Sequence, residues 1–139
     1  MKILITGSNG FIGKNLGPYL VHKGHDVEGY DYIDGRFPDP KEYDRVIHLG
    51  AISDTTETDV DKILKQNYEF SIKMLELCDT YGVTFMYASS ASVYGTNTEF
   101  KENSPVNPQS PYAWSKYLFD RFVKSVDEYQ VNVQGFRFF

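Results

Sequence analysis

The sequence predicts an α/β fold, a doubly wound parallel sheet with helices on its faces, and three observations carry that prediction. Short apolar runs with β-branched residues alternate with longer stretches of helical period. A glycine-spaced turn follows the first apolar run, and a Tyr and a Lys four residues apart follow a Ser-rich run near the other end. Strands are expected near 2–6, 26–31, 45–49, 83–88 and 132–138. Helices are expected near 11–23, 58–81 and 111–129.

The first strand, Lys2-Ile3-Leu4-Ile5-Thr6, has the apolar, β-branched character of a parallel strand buried on both faces. The turn after it is Gly7-Ser8-Asn9-Gly10-Phe11-Ile12-Gly13. Gly7 allows a tight exit from the strand, Gly10 lets backbone approach a pyrophosphate, and Gly13 lets the next helix pack closely on the sheet. An anion then sits at the helix N-terminus, where free N–H groups and the dipole favour it. Gly7, Asn9, Gly10, Phe11, Ile12 and Gly13 are therefore candidate cofactor-binding residues, against the plainer reading of a ligand-free glycine turn. The second strand ends in Asp31, about twenty residues on, where such a fold accepts hydrogen bonds from an adenosine ribose. A carboxylate there repels a 2′-phosphate, so NAD is expected over NADP. Arg36 offsets that repulsion if its loop folds back, which keeps NADP as the alternative cofactor. Gly50 and Ala51, which follow the third strand, are further candidate cofactor-binding residues.

The helix over 11–23 contains Gly17-Pro18, which predicts a kink or an early end because proline breaks one helical hydrogen bond. Gly24 and Gly82 read as helix stops, and Ser110-Pro111 as an N-cap followed by proline at the first helical position. Residues 32 to 44 hold Asp34-Gly35, Pro38 and Pro40, and read as loop. The helix over 58–81 carries Val60, Ile63, Leu64, Asn67, Ser71, Met74, Leu75 and Cys78 on one stripe, with Tyr68, Phe70, Ile72, Leu77 and Tyr81 off it. The helix over 111–129 similarly adds Trp114, Tyr117, Leu118 and Tyr129 to a stripe of Tyr112, Phe119, Phe122, Val123 and Val126. Two helices apolar on more than one face call for a second partner, and a homodimer through 58–81 and 111–129 is expected.

Tyr112 and Lys116 in SPYAWSKYLFD stand at i and i+4, neighbours on one helical face. An ammonium beside a phenol favours the phenolate, so this Tyr suits a general base. The run Met86-Tyr87-Ala88-Ser89-Ser90-Ala91 offers a hydroxyl for the same substrate oxygen. His48, inside an apolar strand, reads as a satisfied core histidine. Thr55 and Thr56 face the site or merely cap a helix. No zinc or calcium spacing is present, and no metal is expected.

Composition agrees with one domain over 1–139. With 41% hydrophobic residues the chain is not disordered, and a net charge of −5 argues against nucleic acid or an anionic membrane as partner. The chain opens on its first strand without a signal run, no apolar stretch is long enough to span a bilayer, and Cys78 is the one cysteine. A cytoplasmic location is expected.

These motifs together resemble the extended short-chain dehydrogenase/reductases that act on nucleotide sugars, the NAD-dependent epimerases and dehydratases. The glycine spacing Gly-x-x-Gly-x-x-Gly is theirs. Gly50-Ala51-Ile52-Ser53-Asp54-Thr55-Thr56-Glu57, Gln66-Asn67-Tyr68, Ser115-Lys116-Tyr117-Leu118-Phe119-Asp120 and Gly135-Phe136-Arg137-Phe138-Phe139 resemble its ADP-glycero-manno-heptose 6-epimerase branch. The resemblance implies a Rossmann-like fold in which Tyr112, Lys116, Ser90 and Asn67 are catalytic, with Ser89 the lesser alternative to Ser90. Tyr112 and Lys116 would also bind the cofactor, and the dimer would be a four-helix bundle. It implies proton removal from a sugar hydroxyl during hydride transfer to nicotinamide. Two departures stand out. One βαβ unit is missing between Asp31 and Arg45, which leaves five strands in the order 2-1-3-4-5. The C-terminal substrate domain is also missing, so the alternative is an incomplete dinucleotide-binding module, or half of a split enzyme whose partner chain supplies the rest.

Overall fold

The structure is a computed structural model describing residues 1–34 and 36–139, and its centre is one five-stranded parallel sheet in the order β2-β1-β3-β4-β5. The strands are β1 (Lys2–Thr6), β2 (Asp26–Tyr30), β3 (Arg45–His48), β4 (Thr84–Ser90) and β5 (Val133–Phe138). The expected order and strand positions are met, with ends shifted by one or two residues. The stretch between β2 and β3 holds one short 3₁₀ turn, Pro40–Glu42, and no other helix or strand among its described residues. Gly35, half of the expected Asp34-Gly35 turn, lies outside the described residues. With no further strand formed there among the described residues, β2 is an edge strand.

Helix α1 (Phe11–His22) continues past Pro18, so of the expected kink or early end the early end does not occur. One missing N–H leaves the rest of the ladder intact. The helix ends where expected, with Gly24 at φ 92 and its N–H donating to Val21. The helix expected over 58–81 is three pieces in series: α2 (Val60–Ile63), a π-helical turn (Leu64–Glu69) and α3 (Phe70–Tyr81). The π turn inserts an extra residue and widens the inward arc. Phe70, expected off the core stripe, is buried as a result, while Val60, expected on it, is 49% exposed at the first turn. Gly82, left-handed at φ 72, stops α3. Helix α4 (Pro111–Ser125) starts as the sequence predicts, with the Ser110 hydroxyl accepting from Ala113 N–H and Pro111 first in the helix. It ends four residues short of expectation because Val126 is extended, and the Tyr129 hydroxyl turns back to the Val123 carbonyl at 2.8 Å.

The two faces of the sheet differ. One packs Leu4, Val46, Phe85 and Tyr87 against Phe70, Met74, Leu75, Cys78 and Phe119 of α3 and α4. The other packs Ile3, Ile5 and Ile47 against Leu16 and Leu20 of α1. That single helix reaches β1 and β2, while Phe136 and Phe138 on β5 stay 42% and 41% exposed.

Candidate active site

The C-terminal ends of β1, β3 and β4 open into a cavity of about 480 Å³, a size that suits a cofactor or a small ligand. Its floor is backbone. A Cβ on Gly7 would lie 2.7 Å from the Gly50 Cα, and one on Gly13 would lie 2.4 Å from the Gly7 carbonyl oxygen. Glycine is thus required where the two strand ends meet and where α1 packs under the turn. Gly10 caps α1, and no side chain caps the first-turn N–H groups. They are left for an anion.

Asp31 closes the far side and is tied to the glycine turn. Its carboxylate accepts from the Ser8 hydroxyl at 2.7 Å and from Asn9 N–H at 3.1 Å. The loop after it is tied back to β2 through its backbone, with the Tyr30 hydroxyl donating to the Arg36 carbonyl at 2.9 Å. Of the sequence-derived residues, Gly7, Gly10, Phe11, Ile12 and Gly13 line the cavity, as do Asp31, Gly50, Ala51, Ser90, Tyr112 and Lys116. Asn9 and Asn67 stand outside that lining. Asn67 is buried in the π turn, where its amide brackets Ile52: Oδ1 accepts from Ile52 N–H at 2.8 Å, and Nδ2 donates to the Ile52 carbonyl at 3.0 Å and the Ser115 hydroxyl at 3.1 Å. Thr55 and Thr56 do not reach the cavity, and both Thr56 donors go to Asp54.

Lys116 is 7% exposed, and its ammonium donates to the Ala88 carbonyl at 3.0 Å. It lies 5.9 Å from the centre of the Tyr112 ring, so the i, i+4 spacing brings the pair together. Burial pulls the Lys116 pKa down to about 8, against the opposing pull of Asp120 one turn further along α4. Asp120 is 5% exposed and accepts from the Tyr87 hydroxyl at 2.9 Å and the Ser89 hydroxyl at 2.8 Å, with the Arg137 guanidinium at 3.5 Å. Burial first, then Asp120, pushes the Tyr87 phenol far above its ordinary value, so it stays a proton donor. Ser89 is thereby committed to Asp120. Ser89 and Ser90 both border the cavity, and the Ser90 oxygen accepts from Ser92 N–H at 3.1 Å.

Sequence reasoning did not pick out Ser8 as the partner of Asp31, nor Thr6, Gln66 and the aromatic wall of Tyr30, Tyr32 and Phe70 in the cavity lining. Tyr30 and Tyr32 flank Asp31 in the sequence, and that proximity was the available signal. Among the described residues no cluster of three His, Cys, Asp or Glu is placed to hold a metal, and no helix is long and apolar enough to cross a membrane.

A glycine cradle, an acidic strand end and a Tyr-Lys pair on one cavity agree with the comparison to known proteins. The profile of the NAD dependent epimerase/dehydratase family matches residues 35–139. The chain belongs to that family. It is 36% identical to an ADP-L-glycero-D-manno-heptose-6-epimerase of Cupriavidus pinatubonensis over an alignment of 168 residues, which covers all of this chain and 50% of that protein. The alignment is longer than the chain, so the relative carries extra positions inside the matched span. Among solved structures, the Helicobacter pylori ADP-L-glycero-D-manno-heptose-6-epimerase superposes with a TM-score of 0.83 at 28% identity, over 98% of this chain and 54% of that one. MoeE5, solved in complex with UDP-glucuronic acid and NAD, superposes with a TM-score of 0.87 at 27% identity, over 100% and 55%. The chain thus spans about half the length of the relatives it matches.

Proposed function

We propose that this chain is the NAD-binding, proton-transferring half of a nucleotide-sugar epimerase or dehydratase. The observation that carries the reading is the convergence of the glycine cradle and the Tyr112–Lys116 pair on one cavity. The residues fit a dinucleotide: the uncapped N-terminus of α1 suits a pyrophosphate, and the Asp31 carboxylate suits ribose hydroxyls. When bound, NAD supplies the oxidising power by accepting a hydride from the sugar carbon. The chain's own work is the proton. Tyr112 takes it from the sugar hydroxyl as general base, and Lys116 stabilises the negative charge that develops on the phenolic oxygen. Ser90 donates to the reacting oxygen, since Ser89 is held by Asp120. Asn67 supports the site from behind by fixing Ile52 and Ser115. Asp31 makes NAD the preferred cofactor over NADP. The functional unit is a cytoplasmic homodimer in which α2–α3 and α4 pair as a bundle, covering Val60, Tyr81 and Trp114, which are 43–49% exposed.

A second reading rests on the chain's spanning about half of its relatives. Binding energy from the nucleotide end of a substrate is what positions the reacting carbon, and proper orientation is worth several powers of ten in rate. A chain without the remaining half has little turnover alone, and another polypeptide would complete the site. The test is incubation with ADP-glycero-manno-heptose, UDP-glucose or GDP-mannose plus NAD, with and without a separately produced C-terminal half of the heptose epimerase relative, read by NMR for inverted sugar centres. The expected result is silence alone and inversion on addition, abolished by Tyr112→Phe. Inversion by the chain alone would overturn the half-site reading, and inversion by Tyr112→Phe would overturn the role given to Tyr112.

A further inference from the structure

His48 sits at the end of β3, 3% exposed, and both ring nitrogens are hydrogen-bonded. The directions of those bonds follow from proton counting. The Ser71 hydroxyl has one proton and donates it to the Asn67 carbonyl at 2.6 Å. It must therefore accept from His48 Nε2, 2.7 Å away, which places the imidazole proton on Nε2 and leaves Nδ1 as an acceptor. The Thr6 hydroxyl, 2.6 Å from Nδ1, donates to it and in turn accepts from Gly50 N–H at 3.1 Å. Every hydroxyl donates once and accepts at least once. Burial agrees with a neutral ring, since it pulls the His48 pKa down to about 3.

The two ends of this chain lie at the two halves of the site. At one end, Gly50 packs against Gly7, the pair whose close approach forms the cavity floor. At the other, the Asn67 amide holds Ile52 and donates to Ser115, whose hydroxyl donates to the Tyr112 carbonyl at 2.6 Å. The loop 50–52 is thus pinned at Gly50 by Thr6 and at Ile52 by Asn67, and His48 is the link between the pins. A buried histidine needed only for packing would have no reason to terminate on the cavity floor in one direction and near the Tyr112 turn in the other.

We propose that His48 is a positioning residue for this site, holding the cofactor-side backbone at Gly50 in register with the Tyr112-bearing helix through one directional chain of hydrogen bonds. For its effect on ligand affinity this inference rests on the dinucleotide reading above. The directionality and the coupling do not.

Both parts are tested on the full chain. Long-range ¹⁵N NMR with labelled histidine should show one of the three rings as the neutral Nε2–H form, unchanged between about pH 5 and pH 8 and absent in His48→Gln. An Nδ1–H ring, or one that titrates in that range, would overturn the chain of bonds. Ser71→Ala should shift the amide signals of both Gly50 and Ser115, and Ser71→Thr, which keeps the hydroxyl, should restore them. A shift confined to the neighbours of Ser71 would mean a merely local role and overturn the coupling. By calorimetry, Ser71→Ala should bind NAD roughly tenfold more weakly than wild type, the effect of one hydrogen bond, and Ser71→Thr should recover most of the loss. Unchanged affinity in Ser71→Ala would overturn the positioning role. If wild type binds no NAD, the dinucleotide reading fails instead, and the amide shifts alone decide the coupling. Should Ser71→Ala not fold, Thr6→Val opens the same chain from its other end with little change in shape and is read in the same way.

Discussion

Strands β3 and β5 are both parallel strands of one sheet, yet three of the four residues of β3 are buried and four of the six of β5 are exposed. Parallel strands are ordinarily covered on both faces. Strand β3 obeys that rule, with Ile47 under the α1 side and Val46 under α3 and α4. Strand β5 has helical cover on one face only, leaving Phe136 and Phe138 side by side at the surface, their rings 6.3 Å apart and tilted by 31°. The contrast divides the site as well as the fold. The glycine cradle proposed for a dinucleotide is tightly fitted and hydrogen-bonded where β1 and β3 end. The side of the cavity lined by Ser90, Phe138 and Phe139 borders the exposed end of β5.

The largest loss of NAD affinity expected on the packed side is from Gly13→Val. The new side chain meets the Gly7 carbonyl and Ser8 backbone, which cannot yield as a flexible side chain would. NAD affinity should fall at least about a hundredfold, with about 1–3 kcal/mol of stability lost to overpacking. Titration calorimetry and urea unfolding measure the two separately. Unimpaired NAD binding would break the claim that this turn is the cradle.

The next effect is a pH dependence seated in β3. The His48 pKa is lowered by burial to about 3 from an ordinary 6.5. A base with a depressed folded pKa binds fewer protons in the native than in the unfolded state between those values. Its contribution is therefore complete above about pH 6.5 and lost as pH falls towards 3, by up to ~4–5 kcal/mol. Denaturant unfolding of wild type and His48→Gln at pH 7 and pH 4.5 should show the gap between them narrowing at low pH. A constant gap would mean His48 is not buried neutral.

A moderate effect is expected on the helical surface. Trp114→Ala on α4 should weaken self-association by about tenfold if that side chain is an anchor of the dimer. Sedimentation velocity at micromolar concentration reads it, and a monomeric wild type would remove the dimer from the account. The smallest effect belongs to β5. Phe136→Ser should change stability by no more than about 0.5 kcal/mol, as for other exposed positions. A large loss would show that β5 is covered after all and dissolve the comparison.

The packed half was also the legible half of the sequence. The glycine turn, Asp31, the Ser110-Pro111 start and the Tyr112–Lys116 pair all depend on local spacing, and spacing is what a sequence displays. The missing βαβ unit showed itself as too few residues between Asp31 and Arg45. Other features depend on the third dimension. The π turn over Leu64–Glu69 has no compositional mark, and it is what set Asn67 against Ile52 and turned Phe70 inward. The bond that occupies Ser89 was not legible, because its partner Asp120 lies 31 residues away and meets it only where α4 packs against β4. His48 was readable as buried but not as a link, because its partners Thr6 and Ser71 come from two other elements.

The measurement that bears most directly on the central claim is calorimetric titration of the purified chain with NAD and, separately, with NADP. The account predicts saturable one-to-one binding of NAD, weaker binding of NADP because of the Asp31 carboxylate, and a smaller difference between the two in Asp31→Ser. No heat with either cofactor would contradict the claim that this cavity is a dinucleotide site. Tighter binding of NADP than of NAD would contradict the role given to Asp31.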